Sequence, residues 1–163
     1  MRFSEKSNKK RSNGVKIAIA ADHRGFELKE KLKLQLKKAG YAVKDFGCDS
    51  EQSVDYPAYA LLVAESVRRE ESERGILICA TGIGMSVAAN KVPGIRAALV
   101  HDTQGARAAG KHTNANILCL GSRTSCRQAK KFVVLWLNTS FAGEQHLRRI
   151  NEIIQIERKY SGA

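Results

Sequence analysis

A cysteine closing an apolar run and followed at once by a glycine turn is the most reactive arrangement in this chain: Gly75-Ile-Leu-Ile-Cys79 leads into Ala80-Thr81-Gly82-Ile83-Gly84. The run reads as a buried strand and the residues after it as a loop and the start of a helix. Free backbone N–H groups at such a turn hold an anion or a developing oxyanion. A helix N-terminus also favours the thiolate of a neighbouring cysteine, which then serves as base or nucleophile. A free cysteine is more often a small core hydrophobe, and Cys48, Cys119 and Cys126, which lack such a setting, read as structural. Three further clusters sit just behind apolar runs: Asp22-His23, His101-Asp102 and Gly121-Ser122-Arg123. Gly82-x-Gly84 with Asp102 twenty residues on has the outline of a dinucleotide fingerprint, but Val87 stands at the third glycine position and weakens it.

Two other histidines stand among polar or basic neighbours. His112 lies in a polar loop, and His146 opens a late helical segment beside Arg148 and Arg149. Cations at a helix start oppose the helix dipole. A solvated basic surface is the plainer reading; an anionic ligand shared with Arg123 would resolve the conflict.

These residues need elements to hold them. Val15–Ala21 is a short β-branched run, and Leu28, Leu32, Leu36 and Ala39 mark a helix that Gly40 closes. Tyr41–Phe46 is a second strand candidate. Asp55 is placed to cap a helix with Tyr59, Leu62, Val63 and Val67 on one stripe. After the third strand, at 75–79, come a helix within 81–92, a strand at 95–100, a weak helix at 103–111 and a fifth strand at 116–120. A helix at 125–138 turns Ala129, Phe132, Val133, Trp136 and Leu137 inward. This alternation predicts an α/β fold, a three-layer Rossmann-like domain with a five-stranded parallel sheet. Ligands then collect beyond the carboxyl ends of the strands, where all four clusters must converge. The last segment, 145–160, carries Leu147, Ile150, Ile153 and Ile154 as an apolar stripe, for docking on its own domain or on a partner subunit.

The 163 residues hold 28 Lys+Arg against 16 Asp+Glu, a formal charge of +12, with 43% hydrophobic residues. That composition excludes a collagen, a coiled coil or a disordered chain and describes one domain that needs no metal or disulfide staple. Residues 1–14 hold five of the basic residues and one acidic residue, which leaves +8 on residues 15–163. The first 14 residues read as a basic, solvated tail with neither a secretory h-region nor a transit-peptide pattern, and residues 15–160 as the domain. No run is long and apolar enough to span a membrane, and four irregularly spaced cysteines suit a reducing, cytoplasmic setting.

Several of these motifs together are specific. Asp22-His23-x-Gly25-Phe26, Asp55-Tyr56-Pro57, the run 75–91, Gly94-Ile95-Arg96-Ala97 and Gly121-Ser122-Arg123 resemble the type B ribose-5-phosphate isomerases over residues 15 to about 158. The resemblance implies a homodimer, with a tetramer as a further assembly, whose active sites draw on both subunits. It also implies a phosphorylated sugar substrate and no cofactor or metal. By the same resemblance Cys79 would move a proton between C1 and C2, while Ala80, Thr81, Gly82, Ile83 and Gly84 would stabilise the enediolate oxygen. His112 would open the sugar ring, Asp22 and His23 would bind hydroxyls, and Tyr56 would line the pocket. Arg123, with His146 and Arg149 of the other subunit, would clamp the phosphate. The chain departs from the family pattern at Thr113, where Asn is usual after the ring-opening histidine. It departs again at Gln145 and Gly110, where arginines are frequent. These departures leave open a hexose 6-phosphate substrate. A nucleic-acid-binding module is disfavoured, because aromatics are only 6% of residues and lie on core stripes.

Overall fold

The computed structural model describes residues 14–161, so the basic tail expected over residues 1–14 lies outside the described residues apart from Gly14. Five strands and six helices follow one another along the chain. They are β1 (Lys16–Ala21), α1 (Phe26–Lys38), β2 (Ala42–Asp45), α2 (Tyr56–Arg68), β3 (Arg74–Cys79) and α3 (Ile83–Ala89). Then come β4 (Ala97–Leu99), α4 (Thr103–Lys111), β5 (Ile117–Gly121), α5 (Cys126–Leu137) and α6 (Glu144–Tyr160). The strands pair in the order β2-β1-β3-β5-β4, and every pairing is parallel. Both faces of the sheet are covered, which is why β1, β3 and β5 are apolar runs without alternation.

One face packs Leu28, Leu32 and Leu36 of α1, Ala106 and Ala109 of α4, and Ala129, Phe132, Val133 and Trp136 of α5 against Ile17, Ile19, Ile76, Ile78, Leu118 and Leu120. The other packs Ala60, Val63, Ala64 and Val67 of α2 and Met85 and Ala89 of α3 against Ala18, Ala20, Leu77, Ile117 and Cys119. Three helices therefore cover one face and two the other, and Leu61, Leu62, Ile83 and Val87 on the thinner side stay exposed.

The structure corrects the expectations locally. Leu62 points to solvent because the inward stripe of α2 runs through Ala60, Val63, Ala64 and Val67, one 3.6-residue face rotated from the expected one. Asp55 occupies the N-cap position, but its side chain accepts no bond from the helix. Asp102 does cap α4, accepting from the Gly105 amide at 2.6 Å, so this carboxylate is spent on helix structure. Leu137 ends α5 only half buried, and β4 is an edge strand of three residues. Only Ile150 of the α6 stripe is buried; Leu147, Ile153 and Ile156 are about half exposed or more.

Leu118 lies in β5, between β3 and β4, with no exposed surface. Leu118→Ala is expected to lower unfolding free energy by about 2–5 kcal/mol, read from urea denaturation; a loss near zero would contradict this packing.

Candidate active site

Where neighbouring strands send their connections to opposite faces, a parallel sheet leaves a crevice at its carboxyl edge. β1 and β5 both lead into helices on one face, α1 and α5, while β3 between them leads into α3 on the other. The end of β3 is therefore open on both sides. Cys79 stands there, with Asp22 after β1 to one side and Ser122 and Arg123 after β5 to the other.

The sulfur is nearly buried, with 5% of the residue exposed, and its Sγ accepts a hydrogen bond from the Gly82 amide at 3.1 Å. The turn that delivers this amide needs glycine: Gly82 has φ +79°, and a Cβ there would lie 2.5 Å from Leu99 and 2.9 Å from the Leu120 backbone. Thr81 Oγ1 accepts from the Ile83 amide at 3.2 Å, and Ala80 and Thr81 are exposed. The Ser122 amide donates to the Cys79 carbonyl at 2.8 Å and ties the β5 loop to the same turn. Gly84 admits the Tyr56 ring, which would sit 2.7 Å from a Cβ at that position. Tyr56 thus lies over the start of α3, with 38% of its surface open.

On the β1 side, the Asp22 amide donates to the Ile78 carbonyl at 3.1 Å, which holds Asp22 beside the end of β3. Its carboxylate is buried, and Oδ1 accepts from the Arg24 and Gly25 amides at 2.9 and 3.0 Å. His23 Nδ1 accepts from the Val54 amide at 3.2 Å. In the neutral ring the proton then resides on Nε2, so His23 offers a donor. This assignment of tautomer comes from an amide far along the chain, and no local pattern in the sequence announced it.

His112, Thr113, Gln145, His146 and Arg149 are elsewhere. α4 starts at the carboxyl edge and runs back beneath the sheet, which carries the chain about 15 Å from Asp102 to His112. There the Thr113 and Asn114 carbonyls accept from Arg96, which precedes β4, and the Trp136 indole N–H donates to Ala115. His112 therefore marks the amino edge of the sheet, opposite Cys79. The Ala142 amide donates to the Lys111 carbonyl and brings the start of α6 to the same place. The His112 and His146 rings stack with centroids 4.6 Å apart and planes 15° from parallel. Gln145 and Arg149 are exposed beside them. Thr113 donates its hydroxyl to the Ala109 carbonyl at 2.8 Å, so its proton is engaged within α4. Gly110 packs where a Cβ would lie 3.1 Å from Thr139, a contact that suits glycine better than a long cation. Partial burial holds the His146 pKa below the ordinary histidine value, and the charges of His112, Arg149 and Lys111 push it the same way.

The two groups are chemically complementary: a thiol with an amide turn and a buried carboxylate at one edge, imidazoles with cations at the other. Among the described residues no three His, Cys, Asp or Glu side chains form a metal-holding group, and no helix is long and apolar enough to cross a membrane. All four cysteines are free.

The chain matches the model of a family described as Ribose/Galactose Isomerase over residues 17–153. It is 41% identical to ribose-5-phosphate isomerase B of Escherichia coli (strain K12), over 88% of this chain and 97% of that protein. The solved ribose-5-phosphate isomerase B of Clostridium thermocellum is 48% identical, covers 90% of this chain with 100% of its own, and superposes with a TM-score of 0.88. The Mycoplasma genitalium enzyme, solved with bound ribulose-5-phosphate, is 41% identical with a TM-score of 0.85, covering 90% of this chain and 99% of its own.

The stacked histidines give a direct test. In an NMR titration the His146 midpoint should lie below the ordinary value of about 6.5. Replacing His112 by Ala should move that midpoint upward; an unchanged midpoint would mean the rings do not interact.

Proposed function

The chain belongs to the ribose/galactose isomerase family, and on that premise we propose that it interconverts D-ribose 5-phosphate and D-ribulose 5-phosphate by moving a proton between C1 and C2 through a cis-enediolate. The observation that carries this reading is the 79–84 turn, where a nearly buried thiol meets a backbone amide at 3.1 Å beside a carboxylate, in a chain closely similar to such isomerases. Proton abstraction beside a carbonyl needs a base and donors preset for the growing negative charge. In this reading Cys79 takes the proton from one carbon and returns it to the other. The amides of the 80–84 turn and the Thr81 hydroxyl meet the enediolate oxygen. Asp22 and His23 hold the sugar hydroxyls and Tyr56 lines the entrance.

Ring opening falls to the other edge, and the phosphate meets Arg123 of the Cys79 edge together with the other-edge groups of a second subunit. His112 donates a proton to the ring oxygen, while Arg123, His146 and Arg149 take the dianionic phosphate, with Gln145 beside them. Phosphate binding remote from the reacting carbons supplies the energy that orients them. Because Cys79 and His112 stand at opposite edges of one sheet, each chain carries halves of two sites, and we assign the working form to a homodimer. Supporting this, Leu61, Leu62, Ile83, Val87, Leu147 and Ile153 are exposed on α2, α3 and α6, an apolar surface suited to a second copy. Four free cysteines suit a cytoplasmic setting. A hexose 6-phosphate remains the competing substrate, resting on Thr113, Gln145 and Gly110.

Turnover measured on ribose 5-phosphate and on galactose and allose 6-phosphates should favour the pentose; a clear hexose preference would overturn the substrate assignment. Cys79→Ala should lose C1/C2 proton exchange by about 10²–10⁴-fold while phosphate still binds. Mixing Cys79→Ala with His112→Ala subunits should restore part of the activity, and failure to complement would contradict the shared site.

A further inference from the structure

Lys29 is the one charged side chain among the described residues with no exposed surface. It projects from α1 beside Leu28, Leu32 and Leu36, where an aliphatic residue would satisfy packing alone. Removing an ammonium from water is costly unless it is paired. Here Nζ donates to Asp45 Oδ2 at 2.7 Å and to Glu30 Oε1 at 2.6 Å, with the Phe26 ring centroid 5.5 Å away. Lys33 donates to the same two carboxylates. Burial alone would raise the Asp45 pKa, but the hydrogen bonds from Lys29, Lys33 and the Gly47 amide hold it below the ordinary range.

The connection leads onward to the pocket. Asp45 Oδ1 accepts from the Gly47 amide at 3.0 Å. The Gly47 carbonyl accepts from the Ala21 amide, and the Cys48 amide donates to the Ala21 carbonyl, both at 2.8 Å. The turn after β2 is thereby fastened to the last residue of β1, immediately before Asp22. The loop continues through Cys48, whose Sγ donates to the Ser50 carbonyl at 3.3 Å, to Val54, whose amide donates to His23 Nδ1.

We propose that Lys29 and Asp45 are positioning residues for the sugar-binding pair Asp22 and His23, holding the 47–54 loop in the place that makes His23 an Nε2–H donor. This rests on the reading of Asp22 and His23 as hydroxyl-binding residues. The charge is retained in the interior because it fixes one loop arrangement, which apolar packing would leave less defined.

The test pairs ¹⁵N NMR of the ligand-free histidines with steady-state kinetics on ribose 5-phosphate. In the unsubstituted protein His23 should be a single Nε2–H tautomer. Lys29→Met, which keeps the bulk, should give mixed tautomers and raise KM about tenfold with kcat within about threefold. Asp45→Asn should do the same and carries the test if Lys29→Met does not fold. Val54→Pro, which deletes the terminal donor, should reproduce both changes. Lys31→Met, which removes an exposed ion pair with Glu27 on the same helix, should change neither. A folded Lys29→Met or Asp45→Asn protein with the same His23 tautomer and unchanged KM overturns the proposal. Should the unsubstituted protein fail to turn over ribose 5-phosphate, the functional reading fails, and the tautomer comparison still decides whether the pair positions His23.

Discussion

Every strand of this sheet ends at the same edge, and that single polarity governs what the chain can assemble. Parallel pairing requires a crossover between successive strands, and the helices that follow β1 and β5 take one face while the helix after β3 takes the other. No helix then closes over the end of β3. The Cys79 sulfur occupies this gap and accepts from the Gly82 amide of its own turn, while the Asp22 amide bonds the Ile78 carbonyl and the Ser122 amide the Cys79 carbonyl, tying the β1 and β5 loops to the same place. A thiol anywhere else on the strand would be enclosed by the core, as Cys119 is: burial foremost, with Cys79 nearby, pushes its pKa far upward and keeps it an inert thiol.

The same polarity separates the reactive groups. A helix that leaves the carboxyl edge must return its C-terminus to the amino edge, so α4 delivers His112, and the segment after α5 delivers His146, to the side away from Cys79. In the proposed reading, the base Cys79 and the ring-opening His112 therefore do not share a pocket within one copy of the chain. The exposed apolar residues of α2, α3 and α6 support the proposed homodimer, in which an amino edge would meet a carboxyl edge. The stacking of His112 and His146 keeps two imidazoles close together beside Lys111 and Arg149, where partial burial and these positive charges lower the His146 pKa.

The charge of +12 has several origins. Part belongs to residues 1–14, and part lines the groove between α4 and α5, where Arg107, Arg127, Lys130 and Lys131 gather. The cations that the proposed function uses are few: Arg123 at one edge and Arg149 at the other. Lys29 differs from all of these. Together with Lys33 it balances the carboxylates of Asp45 and Glu30, and in our proposal it fixes the loop that orients His23.

The order of elements, the parallel sheet and the residues at the strand ends were legible in the sequence, because apolar runs, glycine punctuation and helical spacing are local properties. The Cys79 turn was legible for the same reason, down to the glycines it requires. Leu62 was misplaced because a stripe of alanines can face a tightly packed sheet as well as leucines can, while Asp55 does stand at the expected N-cap position but without a side-chain bond to the helix. The sequence alone could not tell that His112 and Cys79 stand at opposite edges, since that depends on the direction in which α4 runs back under the sheet. Nor could it tell that Val54 sets the tautomer of His23, or that Lys29 is buried, since both rest on contacts between residues 16 or more positions apart. Local spacing fixes which residues can do chemistry; only tertiary packing, by closing those distances, decides which of them do it together.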